Sequence, residues 1–195
     1  MLGDSRRPAV DTDLLLPIYR FNTWANDSIR AALLVAGEER ARRPLDLWFG
    51  SAFAISAHIC AGETIWISRL RDGVTPPRLL GEEDFPSVAA LTEHWRDLDR
   101  QWEAYVGGLT PAALAETVPW TSQHGERFTH IRWQILLHLP FHSSEHRAHA
   151  ATALTLLGVR HGPQDFHLQF MPPDAAASRS APAVGENPRW AAPTP

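Results

Sequence analysis

The sequence predicts an all-α four-helix bundle, on three observations. Four long segments repeat apolar residues at spacings of three and four, the period of one helix face. Strand-like alternation is nearly absent between them, which argues for helices packed on helices. The chain has 195 residues, 44% of them hydrophobic, enough to bury one sizeable core.

The first helix runs from Asp11 to about Val35, with Leu14, Ile18, Phe21, Ala25, Ile29 and Leu33 on its apolar stripe. Asp11 or Thr12 supplies a cap, and Pro17 falls early, where a helix still tolerates it. Pro44 lies in the break that follows. The second helix spans about Leu47 to Leu70 and is apolar nearly all round, so it is expected to be deeply buried. Asp72-Gly73 and Pro76-Pro77 end it, and the turn-rich connection 72–86 is long enough to cross over a bundle.

Ser87 caps a third helix reaching about Gly107, with Val88, Leu91, Trp95, Leu98 and Trp102 facing the core. The segment 108–127 is mixed: Thr110-Pro111-Ala112 starts a helical turn and 117–120 is extended. The fourth helix runs from Thr129 to Leu157, and Gly158 is placed to end it. The bundle domain is thus assigned to 1–171. From Pro172 the last 24 residues hold six prolines and seven alanines, the composition of a disordered tail.

Net charge is −4, and all 18 basic residues are arginines scattered along the chain. No basic stripe forms, which excludes nucleic acid as a partner. Cys60 stands alone, so no intrachain disulfide forms. No leader-like segment opens the chain, and no apolar run nears the roughly 20 residues that span a bilayer. The expectation is a cytoplasmic protein with no membrane partner.

Chemistry concentrates in LLHLPFHSSEHRAH, where His138, His142 and His146 stand one helical turn apart with His149 just beyond. Residues four apart on a helix share a face, so such a pair can close on one metal ion. Ile135, Leu139, His142, His146, His149, Ala153 and Leu157 form a stripe expected to face the core. Inward imidazoles cost free energy unless their nitrogens are paired or ligated. A third ligand must come from another helix, and His58 sits in the buried middle of the second. Cys60 lies about 200° around that helix from His58 and does not reach the same ion. On spacing alone His138 can replace His146, although Pro140 disturbs the backbone between them. Core histidines satisfied by carbonyls or water remain the competing reading. His94, His124, His130, His161 and His167 are expected to face solvent. Trp24, Trp66, Trp95, Trp102 and Trp133 fit the core, with Trp24 and Trp66 as candidates to line a pocket above the histidines.

Three segments carry a family resemblance. They are YRFNTWAN at 19–26, SAHICAGETIW at 56–66 and HLPFHSSEHR at 138–147, with Gly162-Pro163 and Asp165-Phe166 closing the pattern. Over about residues 11–170 the chain resembles the DinB/YfiT-like superfamily of four-helix metalloenzymes. The resemblance maps the metal-binding histidines onto His58, His142 and His146, which selects His146 over His138. It implies an up-down-down-up bundle with 72–86 as the crossover, frequent homodimers, and a divalent metal, nickel or zinc. Glu145, Ala148, His149 and Phe141 depart from the usual residues around the last motif.

Three neutral imidazoles leave coordination positions open, as catalytic sites do. Relatives of this kind include thiol-dependent S-transferases and a thiol-dependent isomerase. The function implied is a metal-dependent transferase that joins a low-molecular-weight thiol cosubstrate to a small-molecule electrophile. Glu145 is a candidate base beside the ligands. The alternatives are a non-catalytic metal- or ligand-binding bundle of a damage-inducible stress response, and a metal-dependent hydrolase.

Overall fold

Side-chain caps set where the helices begin. The computed structural model describes residues 10–170. Helix α1 (Thr12–Ala41) starts where the Asp11 carboxylate accepts from the Leu14 amide at 2.9 Å. Ser51 caps α2 (Ala52–Ile67) and Ser87 caps α3 (Val88–Gly107), each accepting from the third amide onward at 3.0 Å. Thr110 caps the short α4 (Pro111–Ala115), with Pro111 in the first turn, where its missing N–H costs nothing. Helix α5 (Arg132–Leu156) ends at Gly158, whose φ of 70° lets the Val159 amide reach the Leu154 carbonyl at 2.9 Å.

Three boundaries differ from expectation. Helix α1 continues past Val35, broken locally at Gly37 with φ 69° and ψ 176°. Helix α2 begins after the apolar run 47–50, because those residues close a turn in which the Leu45 amide donates to the Gly50 carbonyl at 2.6 Å. Residues 129–131 belong to a strand rather than to α5. Strand β1 (Thr117–Thr121) pairs antiparallel with β2 (Arg127–Ile131), Thr117 opposite Ile131 and Thr121 opposite Arg127. The hairpin was hidden because β2 has no buried face, so no hydrophobic alternation marks it. The proline- and alanine-rich segment 172–195 and the first nine residues lie outside the described residues.

Helix α1 packs chiefly on α3 and α5, and α2 chiefly on α5. Leu15, Ile29, Leu33, Phe53, Ile59, Leu91 and Trp95 fill the space between them. Among the described residues no helix is long and apolar enough to cross a membrane.

Pro140 lies inside α5 and cannot donate to the Leu136 carbonyl one turn earlier. The buried Tyr19 hydroxyl donates to that carbonyl instead, at 3.0 Å, and ties α1 to α5. Tyr19→Phe is expected to orphan a buried carbonyl and to lower unfolding free energy by about 1–3 kcal/mol. Chemical denaturation measures it, and an unchanged midpoint would contradict this role for the hydroxyl.

Candidate metal centre

His58 projects from the less buried edge of α2, and His142 and His146 from the adjoining edge of α5. One ligand nitrogen of each lies within 4.8 Å of those of the other two, a group that could hold a metal ion. Ring centroids are 4.5 Å apart for His58–His146 and for His142–His146, and 5.3 Å for His58–His142. His146 is buried, and His58 and His142 are half-buried.

Two residues make room for the rings. Phe49, in the turn before α2, stacks on His58 at 4.4 Å and meets His146 edge-on at 5.4 Å. Gly62, one turn beyond His58, faces His142 so closely that a Cβ there would lie 2.7 Å from His142 Cε1. Gly62→Ala is therefore expected to push the His142 ring out of line. With zinc as the probe ion, binding should weaken by about 10- to 100-fold, the scale seen when a ligand's support is altered. Competition with a chromophoric chelator measures this, and unchanged affinity would show that His142 does not need the space.

The donor set fits a divalent cation. Nδ1 of His142 and Nδ1 of His146 are buried without a hydrogen-bond partner in the protein. Such orphaned ring nitrogens are costly unless something else engages the ring. Burial lowers the pKa of all three histidines. The neighbouring histidines add to this for His142, pushed down to about 3, and His146 adds to it for His58. At His146, Glu145 pulls the other way. Neutral imidazole is the form that binds metal.

The other candidates separate from this group. His138 is exposed, with its ring centroid 5.8 Å from that of His142. His149 is exposed as well, contrary to the inward stripe, because the buried face of α5 runs through Leu136, Leu139, Ser143, Arg147, Ala150 and Leu154. The histidine row is the edge of that face. His94 is half-buried against Phe85 rather than solvent-facing, and His161 is half-buried too. Glu145 is exposed. Trp66 lines a cavity of ≈ 250 Å³ with His58 and His142, whereas Trp24 does not. Cys60 is fully buried, and burial, with Glu63 behind it, raises its thiol pKa well above the ordinary range.

Behind the histidines lies a buried polar network that their spacing did not announce. Arg147, 0% exposed, donates through Nη1 to the side-chain oxygens of Asn22 and Asn26, the latter at 2.9 Å. Asn22 and Ser143 both donate to Glu63 Oε1, at 3.1 and 2.8 Å. Asn26 donates to Asp99 at 2.9 Å, and Asp99 is ion-paired with the buried Arg30. Ser143 follows His142 and Arg147 follows His146, so the network anchors the segment of α5 that presents both rings.

Burial, reinforced by Asp99, raises the Glu63 pKa to about 7. A carboxyl raised on folding holds its proton more tightly in the native state. Stability is then lost as pH rises from the unfolded value through the folded one. Glu63→Gln keeps an acceptor for Asn22 and Ser143 without the titration. The wild type should lose on the order of 2–3 kcal/mol relative to this variant between pH 5 and pH 8. Parallel pH–stability curves from urea denaturation would contradict it.

Fold and cluster together define a helical bundle with a three-histidine group able to hold a metal ion. The family model of the DinB superfamily matches residues 27–150, and the chain belongs to that superfamily. A search of curated proteins finds no match.

Proposed function

We propose that the chain is a divalent-metal-dependent enzyme that joins a low-molecular-weight thiol to an electrophile. His58, His142 and His146 are its metal ligands. The observation that carries this reading is the convergence of three imidazoles, two of which, His58 and His142, line a cavity of ≈ 250 Å³. Imidazole donors suit zinc and nickel, and a three-ligand set leaves positions for a substrate. When bound, the ion supplies the positive charge that brings a thiol or a water toward its anion near neutral pH.

Two features favour a thiol over water as the nucleophile. Among the described residues no carboxylate joins the histidine group. Glu63 is turned into the core network and Glu145 is exposed, so neither is a base held at the site. A thiol, with a free pKa of about 8.5, needs less help to ionise than water does. The thiol must come from a cosubstrate, because the Cys60 sulfur is buried away from the cavity. Phe49 and Gly62 hold the rings, and Trp66 supplies an apolar wall.

The same reading includes the up-down-down-up order of α1, α2, α3 and α5. It is supported by pairings of Tyr19 with Leu136, Asn26 with Asp99, and Gly62 with His142. Chelation of the purified protein tests the proposal. Helical circular dichroism should persist, because the core and the contacts of Arg147 with α1 do not pass through the ion. Conjugation of cysteine or glutathione to a chlorobimane should disappear and return with zinc or nickel. Unfolding on chelation would mark the site as structural. Metal binding without conjugation would favour a non-catalytic bundle.

A further inference from the structure

Arg69 sits in the π-helical turn Ser68–Asp72 that ends α2, and is 9% exposed. Its guanidinium carbon is 4.8 Å from the ring centroid of Trp66 and 4.3 Å from that of Trp120, which stands on β1. Nε donates to the Thr75 hydroxyl at 3.2 Å and Nη2 to the Thr121 carbonyl at 3.4 Å. Nη1 has no acceptor, and no carboxylate pairs with this cation among the described residues. A buried charge without a counter-charge is costly, and an anion brought by a ligand would offset that cost.

Two cavities meet at this side chain. One, of ≈ 250 Å³, is shared with His58 and His142. The other, of ≈ 400 Å³, is shared with Thr75, Thr121 and the exposed Arg127. Neither wall contains an aspartate or a glutamate, although the chain as a whole is acidic with a net charge of −4. Both tryptophans lie against the guanidinium, and its unpaired donor is left to a ligand.

We propose that Arg69 is the anion-recognition residue of this site. The small molecule bound here carries a carboxylate that Arg69 holds, while its reacting end lies toward His58 and His142. The orientation rests on the thiol-transfer reading, but the carboxylate binding does not. The carboxylate can arrive on the thiol or on the electrophile, and unreactive probes of each shape separate the two.

The test is calorimetry on the full-length, zinc-loaded chain, with N-acetylalanine against N-acetylalaninamide for the thiol shape and benzoate against benzamide for an aromatic electrophile. In at least one pair the acid should bind about tenfold or more tighter than the amide, the scale of a charge-assisted hydrogen bond. The pair that shows the preference identifies the carrier. Arg69→Gln should bring the ratio close to one with zinc content unchanged, and Arg127→Gln should leave it intact. Arg69→Met keeps an apolar stem against both tryptophans and replaces the Gln variant if that one melts early.

A wild-type ratio near one in both pairs would overturn the proposal. So would a ratio that survives loss of Arg69, or one that depends on Arg127 instead; Arg69 would then be a strut between α2 and the hairpin. A ratio that behaves as expected in a protein with no conjugating activity would count against the proposed function alone.

Discussion

His142→Ala is expected to abolish metal retention and to leave the fold standing. Zinc or nickel content should fall from about one equivalent per chain to below about a tenth, because two imidazoles on different helices hold a divalent ion poorly. Among the described residues no fourth group joins the set. His138 is exposed and two turns from His146, and Cys60 is sealed in the core. The apo variant should melt within a few degrees of the apo wild type, since the substitution removes a buried Nδ1 that has no partner and touches the half-buried edge of α5. Elemental analysis with a thermal melt measures both. A full equivalent in the variant would exclude His142 as a ligand.

Arg147→Met has the opposite signature, a large loss of stability. The arginine is wholly buried and joins α5 to both asparagines of α1. Its charge faces Glu63 and Asp99, the two acids that pull its pKa up against the larger effect of burial, which leaves it at about 10. Removing one member of such a buried set exposes the others to an uncompensated low-dielectric interior, at a cost of about 3–5 kcal/mol. For a chain of this size the melting temperature should drop by roughly 10 °C. Metal affinity should fall as well, because Arg147 and Ser143 anchor the turn that carries His142 and His146. A melt like the wild type's would mean that the network carries little of the stability.

The helices were legible in the sequence because their signals are local. Ser87, Asp11 and Gly158 act within one turn of the ends they mark, and apolar spacing exposes a buried face directly. The histidine triad was legible in part. The i, i+4 spacing offered several pairs on one helix, the buried setting of His58 pointed to the third ligand, and a family motif was needed to choose His146 over His138. What spacing misjudged was how far inward the row turns at His149, because Ser143, Arg147 and Ala150 carry part of the inner face of α5. Arg147 is a charged residue in a core stripe, and only partners on α1 and α2 make that position tolerable. Gly62, Phe49 and Arg69 act through space across elements, so nothing in their neighbours along the chain announces them. Asn22, Asn26, Glu63 and Arg147 all fell inside the motifs that carried the resemblance, and the structure shows why those motifs reach beyond the ligands.

The most direct test of the three-histidine centre is X-ray absorption on the full-length chain, reconstituted with zinc and dialysed. About one equivalent should remain, with three imidazole nitrogens at about 2.0–2.1 Å and a position left for a non-protein ligand. Retention below about a tenth of an equivalent, or a shell with fewer than three imidazoles, would contradict a metal centre built by His58, His142 and His146.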